Sequence, residues 1–213
     1  MSQLPEAAIT SAEELRILIG SPIDLAVRKA IPRLDQHCRA FIARSPFLTI
    51  GTASADGRAD VSPRGDAPGF VQVLDDNTLF IPDRPGNNRM DTMLNIIENP
   101  NVGLLFLVPG FEDLLRVNGR ATIVRDPALL GAAVVNGKTP QVGIHVAVDE
   151  AYLHCAKAVK RSRLWHEESK QNRKALPSLG KMILEQTADA PPPAEVVAQV
   201  DELIEENYRT GLY

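Results

Sequence analysis

Cysteine is scarce in this chain: Cys38 and Cys155 are the two in 213 residues, and neither sits in a C-x-x-C pair. That usage argues against a zinc site and leaves two buried free thiols as the expectation. A basic excess is lacking as well. The 23 Lys and Arg are outnumbered by 27 Asp and Glu, for a formal net charge of −4, which argues against a general binder of nucleic acid or anionic membrane. No stretch reaches the roughly 18 apolar residues of a membrane span, and the N-terminus has no basic run followed by an apolar core. A reducing, cytoplasmic setting is the expectation that follows. Also missing are a Walker loop, a G-x-G-x-x-G after a strand, H-E-x-x-H and G-x-S-x-G. The carboxylate pairs Asp75-Asp76 and Glu112-Asp113 fall in turns, where turn chemistry accounts for them. With no catalytic motif of its own, the chain would draw redox or transfer chemistry from a bound cofactor.

What is present is an ordinary globular composition, 44% hydrophobic and 23% charged, in a chain long enough to bury a core. The first 45 residues read as helices. Ser11 with Glu14 makes a capping box ahead of Leu15, Leu18 and Ile19, and Leu34, Cys38, Phe41 and Ile42 form the stripe of a helix packed on something larger. From Phe47 the period changes to two. Segments 47–54, 59–63, 70–74 and 78–82, joined by short turns, read as antiparallel strands. A helix after Asn88 puts Met90, Met93, Leu94 and Ile97 on one face. Val102–Val108 is nearly all apolar, residues 115–123 alternate, and 142–153 is extended. Many strands with few intervening helices predict a mainly β fold, a closed or partly closed antiparallel barrel with peripheral helices. The organisation expected is helices over 1–45, a barrel over 46–170 and a helical extension over 171–213, where Pro191-Pro192-Pro193 opens the last helix.

Three clusters carry candidate chemistry. Asp83-Arg84-Pro85-Gly86-Asn87-Asn88-Arg89 joins a strand to a helix through a tight turn. Asn87 or Asn88 can cap that helix, leaving Arg89 in its first turn beside unpaired backbone N–H groups, a setting that favours a phosphate. Ser62-Pro63-Arg64-Gly65 ends a strand with a hydroxyl and a guanidinium, the latter suited to a two-pronged grip on phosphate. A helix predicted over 154–166 aligns Lys157, Arg161 and Trp165 at i, i+4 and i+8, with Ser162 alongside. Such a basic and aromatic face suits an anionic, planar ligand.

These stretches, together with Phe47–Ser54, Asp56-Gly57, Leu79–Asp83, Asn99–Phe106 and Leu115–Ala121, resemble the pyridoxamine 5′-phosphate oxidase-like FMN-binding split-barrel flavoproteins, in an uncharacterised bacterial branch. The resemblance covers about Leu34 to Trp165. It implies a six-stranded split barrel, a homodimer with FMN at the subunit interface, and an oxidoreductase exchanging hydride through the flavin. It also implies that Arg64 with Asn88 and Arg89 grips the FMN phosphate and that Ser62 lies near the flavin. Lys157, Arg161, Ser162 and Trp165 would come from the partner subunit. Two family features are missing: the flavin-contacting glutamine has no counterpart in Glu112–Arg116, and the C-terminal Arg-Leu-His-Asp-type segment is absent. Both absences weigh against vitamin B6 oxidation itself. The competing expectation is a flavin- or haem-binding carrier or sensor without turnover, with His37, His145, His154 and His166 as the histidines available to haem.

Overall fold

The computed structural model describes residues 8–213, so whatever was read from residues 1–7 lies outside the described part. In chain order the elements are α1 (Ala12–Ile19), α2 (Asp24–Arg28), α3 (Gln36–Ile42), β1 (Phe47–Ala53), β2 (Ala59–Gly65), β3 (Gln72–Asp75) and β4 (Thr78–Pro82). They continue with α4 (Asp91–Glu98), β5 (Asn101–Leu107), β6 (Leu114–Val124), α5 (Pro127–Ala132), β7 (Gly143–His154) and α6 (Lys157–Ser162). Two single turns of 3₁₀-helix precede α7 (Leu179–Thr187) and α8 (Ala194–Thr210).

All seven strands share one sheet in the order β2-β1-β5-β6-β7-β4-β3, every neighbouring pair antiparallel. The six strands implied by the family resemblance are one too few. Full closure is not reached either: β2 and β3 end the strand order and do not pair with each other, so the sheet is open in its hydrogen bonding. The period-two pattern explains which side is filled. Leu48 and Ile50 of β1, Leu104 and Phe106 of β5, Leu115 and Val117 of β6, and Val146 of β7 are buried on one face, while their sequence neighbours are at least partly exposed. Each such Leu or Ile removed from water contributes about 1.5–3 kcal/mol before entropy is charged against it. β4 departs from alternation because Leu79 and Ile81 join this main core while Phe80 packs on the other side against Leu130 and Ala133, at α5.

A bulge between Asn118 and Gly119 bends the long β6–β7 ladder. A Cβ built on Gly119 would stand 2.2 Å from the Ala147 carbonyl oxygen, so the approach of the two backbones depends on the missing side chain. Beyond the bulge, β7 leaves β4 and instead exchanges two backbone hydrogen bonds between Ala151 and Ile31.

Of the N-terminal helices, α3 buries Cys38, Phe41 and Ile42 against the sheet and is capped by Asp35, whose Oδ1 accepts from the amides of His37 and Cys38. Helices α1 and α2 bury no residue, although Ser11 caps α1 as expected. Helix α4 buries Thr92 and Ile96, whereas Met90, Leu94 and Ile97 are exposed. The apolar stripe read from the sequence therefore faces outward. The inward face is partly polar because Asn95 donates to Thr52 Oγ1 at 3.0 Å and Thr92 lies 3.4 Å from Asp60 Oδ2. Helices α7 and α8 pack on each other, joined also by the Gly180 amide donating to Asp201. Asp201 thus serves the inter-helix contact.

The two cysteines differ. Cys38 is buried, and burial with the neighbouring Asp35 carboxylate pushes its thiol up to about 11. Cys155 is exposed, contrary to the expectation of two buried thiols, because it lies past the end of β7. Iodoacetamide at neutral pH should therefore label Cys155 alone in the native protein and both thiols after denaturation. Native labelling of Cys38 would contradict this assignment.

Candidate functional site

The alternation of β2 turns Asp60, Ser62 and Arg64 to the side on which Leu48 and Ile50 are buried, since these residues stand opposite Thr52, Ile50 and Leu48 of β1. At the end of this strand lies a cleft of about 470 Å³. Its wall comes from residues 60–65 of β2 and from the segment 82–93 that links β4 to α4, so Ser62, Pro63, Arg64, Gly65, Asn87, Asn88 and Arg89 all line one space. Two stretches separated in sequence meet here because β4 and β2 sit near opposite ends of the sheet order and the sheet curls between them.

Arg64 is the best-placed cation. Its Nη1 donates to Asp83 Oδ1 at 2.9 Å, with side-chain exposures of 19% and 26%, while its Nε is buried and without a hydrogen-bond partner. A buried, unpaired guanidinium N–H costs free energy until an acceptor meets it. Asp83 answers only part of that demand: burial pushes its carboxyl up, against the lowering influence of Arg64. An anion with several oxygens fits this donor set better than one carboxylate does.

The loop differs in detail from the sequence expectation. Neither Asn87 nor Asn88 caps α4. The residue before the helix is Met90, in the left-handed region at φ 60° and without a side-chain cap bond. Asn87 Oδ1 instead accepts from the Arg89 amide at 3.1 Å, and Asn88 is also left-handed at φ 58°. The left-handed residues Asn88 and Met90 delay the helix to Asp91, so Arg89 lies outside its first turn. Its Nε donates to Asp91 Oδ2 at 2.8 Å, and the side chain is exposed.

A second ion pair braces the cleft. Arg84 Nε lies 2.6 Å from Asp66 Oδ2, with Asp66 almost fully covered, and Arg84 Nη1 donates to the Ala133 carbonyl at 2.9 Å. The Tyr213 hydroxyl donates to the other Asp66 oxygen at 2.6 Å, and Arg84 stands over the Tyr213 ring. Sequence reading missed this group because its members lie far apart in the chain and no local spacing marks it. Burial pushes the Asp66 carboxyl up, but the Tyr213 hydroxyl, the Ala67 amide and Arg84 outweigh it, and the net direction is down. The stability this carboxylate contributes is thus fully present above its unfolded value of about 3.9 and is lost as pH falls through the lower folded value. Asp66→Asn should cost about 2 kcal/mol at pH 7. Urea unfolding of the two proteins should then converge as pH falls through that lower folded value, and a gap that does not narrow on acidification would contradict the ion-pair account.

The third cluster does not reach this cleft. Helix α6 is six residues long and ends at Arg163, left-handed at φ 51°, so Lys157, Arg161 and Trp165 do not form one helical stripe. His154 belongs to β7. Ser162 Oγ donates to the Val159 carbonyl, and Trp165 Nε1 donates to the Phe111 carbonyl at 2.6 Å. Lys157 and Arg161 are exposed.

The sequence profile of the pyridoxamine 5′-phosphate oxidase family matches residues 34–155, more than half of the chain. The chain belongs to this family. The segment matched by the oxidase family begins at Leu34, ahead of α3, and ends at Cys155, just past β7; it contains the whole cleft and leaves out α6, α7 and α8. No curated protein matches the chain. Among solved structures, HupZ of Group A Streptococcus is 19% identical over 56% of this chain and 92% of its own, with a TM-score of 0.46. General Stress Protein 26 of Bacillus anthracis is 20% identical over 54% and 88%, at 0.42. An FMN-binding protein of Syntrophomonas wolfei is 12% identical over 55% and 83%, at 0.43. These likenesses are too distant to assign anything to this chain. Among the described residues no helix is long and apolar enough to cross a membrane, and no group of three or more His, Cys, Asp or Glu could hold a metal ion.

Proposed function

We propose that this member of the oxidase family is an FMN-binding oxidoreductase that works as a homodimer on a split barrel. The observation carrying the reading is the unpaired Nε of Arg64 in the same cleft as Asn87, Asn88 and Arg89. A phosphate accepts from both a guanidinium and loop amides, so the residues present fit the phosphate end of FMN. FMN, when bound, supplies hydride exchange at its N5. Arg64 would hold the phosphate, with Asn88 and Arg89 on the facing loop, and Ser62, two residues along the same face of β2, would present its hydroxyl within the same cleft.

Asp83 is the competitor. A carboxylate at Arg64 repels an incoming phosphate, and unit charges about 4 Å apart interact by about 1 kcal/mol even in water. Asp83→Asn should therefore tighten FMN binding by about fivefold at pH 7. Equal or weaker affinity would show that Asp83 chiefly aligns Arg64.

Phe47 and Val61 on the outer sheet face, with Leu94 and Ile97 on α4, are exposed apolar side chains of the kind a second subunit covers. In that dimer Lys157, Arg161, Ser162 and Trp165 would meet the partner's flavin, which accounts for their lying outside the cleft of their own chain. The test is to load the protein with FMN and mix it anaerobically with NADH or NADPH. Bleaching of the flavin absorption is the expected result. FMN that binds and resists both donors would leave a flavin carrier.

A further inference from the structure

The loop 84–89 lines the Arg64 cleft, yet among the described residues its backbone makes no hydrogen bond to another element. Backbone anchors lie only at its two ends, where the Asp83 amide donates to the Val142 carbonyl at 3.1 Å and the Leu94 amide to the Met90 carbonyl at 2.9 Å. Asn87 and Arg89 bond within the loop or to Asp91 just beyond it. Arg84 is therefore the loop's hydrogen-bonded tie to the sheet among the described residues, through Nε to Asp66 and Nη1 to the Ala133 carbonyl.

Tyr213 completes that tie. The Asp66 side chain is 2% exposed and gives one oxygen, Oδ2, to Arg84. The other, Oδ1, accepts from the Tyr213 hydroxyl at 2.6 Å and from the Ala67 amide at 2.7 Å. A carboxylate held at both oxygens is fixed in rotation, so Arg84 meets an acceptor already aimed at it. Tyr213 is fixed in turn. Its ring centroid is 5.6 Å from the Arg84 guanidinium centre, and its carbonyl accepts from Lys138 Nζ. Lys138 bridges to Val135 in the turn after α5, beside the Ala133 that Arg84 also engages. The contacts thus close a ring from Tyr213 through Asp66, Arg84 and the 133–138 turn back to Tyr213.

Tyr213 lies just past α8, outside the family-matched segment 34–155. Helix α8 buries no residue. Among the described residues, each hydrogen bond joining residues 172–213 to the rest of the chain is made by Tyr213. The attachment of the α7–α8 pair and the anchoring of the cleft loop are therefore the same contact.

We propose that Tyr213 is a positioning residue for the Arg64 cleft: by locking Asp66 onto Arg84 it holds the loop 84–89 in place, and release of the α7–α8 pair frees that wall of the cleft. A loop ordered in advance spares its ordering cost when a ligand arrives. The consequence for FMN rests on the flavin reading, whereas the consequence for the loop does not.

The test measures backbone ¹⁵N order parameters of the full chain in the parent and in Tyr213→Phe, which keeps the ring over Arg84 and removes the hydroxyl. At the amides of Arg84 and Gly86 to Arg89 the values should fall from about 0.85 to below about 0.6, with β1 and β5 unchanged. Arg84→Gln should loosen the same amides, and Tyr213→Phe added to it should change little more, since the hydroxyl acts through Arg84. Asp201→Asn is the control. It removes the bond between α7 and α8 without touching the ring of contacts, and should leave the loop as in the parent. FMN affinity, measured by fluorescence titration, should weaken about threefold or more in Tyr213→Phe and stay unchanged in Asp201→Asn. If the parent takes up no FMN, the flavin reading falls and the order parameters alone decide. A loop equally ordered in parent and Tyr213→Phe, one loosened as much by Asp201→Asn, additive effects of Arg84→Gln and Tyr213→Phe, or a loosened loop with FMN affinity intact would each overturn the proposal.

Discussion

Replacing Arg64 with alanine is expected to weaken FMN binding by about 10- to 100-fold, the range for losing a charge-assisted hydrogen-bonded contact. The side chain is the one cation in the cleft that combines partial burial, a fixed partner and an unsatisfied N–H. Arg89 offers the contrast. It is exposed and paired with Asp91, so Arg89→Ala should cost a few-fold at most. Lysine at 64 keeps the charge and loses the fork, and should recover only part of the affinity. Arg64→Ala also strips Asp83 of its partner. Because burial already pushes the Asp83 carboxyl up, that group can shed its charge by taking a proton, so folding should suffer less than FMN binding. A variant that binds FMN as the parent does would remove Arg64 from the site. Fluorescence titration measures the binding, and thermal unfolding checks the fold.

Gly119→Ala should cost about 3 kcal/mol of folding free energy, the upper end for overpacking, because the new Cβ would meet the Ala147 backbone oxygen at 2.2 Å and no rotamer change relieves a clash with main chain. At about 2–4 °C per kcal/mol for a chain of this size, the melting temperature should fall by about 6–12 °C. Gly103→Ala is the control. Its Cβ would stand 3.4 Å from the Asn118 side-chain oxygen, which can swing aside, so a loss below about 1 kcal/mol is expected. The comparison reaches the site indirectly, since the bulge at Gly119 sets how β7 runs alongside β4, whose end delivers Asp83 to Arg64. Equal effects at the two glycines would show that the β6–β7 ladder shifts freely to accept a side chain.

The strands were legible because alternation is a local property: Leu115, Val117 and Ala121 of β6 are buried and their neighbours are partly or fully exposed, as the sequence pattern requires. That Ser62–Gly65 and Asn87–Arg89 line one cleft was legible in part, as the first falls at the end of β2 and the second in the link from β4 to α4. Helix ends were less so. The αL residues Met90 and Arg163 shorten α4 and α6, and neither type advertises a left-handed conformation as glycine does. Strand closure, the outward stripe of α4, and the Asp66–Arg84–Tyr213 group depend on contacts between distant residues, which spacing along the chain does not encode.

The measurement that bears most directly on the central claim is titration of the purified protein with FMN, following quenching of flavin fluorescence in the parent and in Arg64→Ala. Saturable binding in the parent, weakened at least tenfold in the variant, is the predicted result. A colourless protein that leaves added FMN unquenched, or equal affinities in the two proteins, would contradict it.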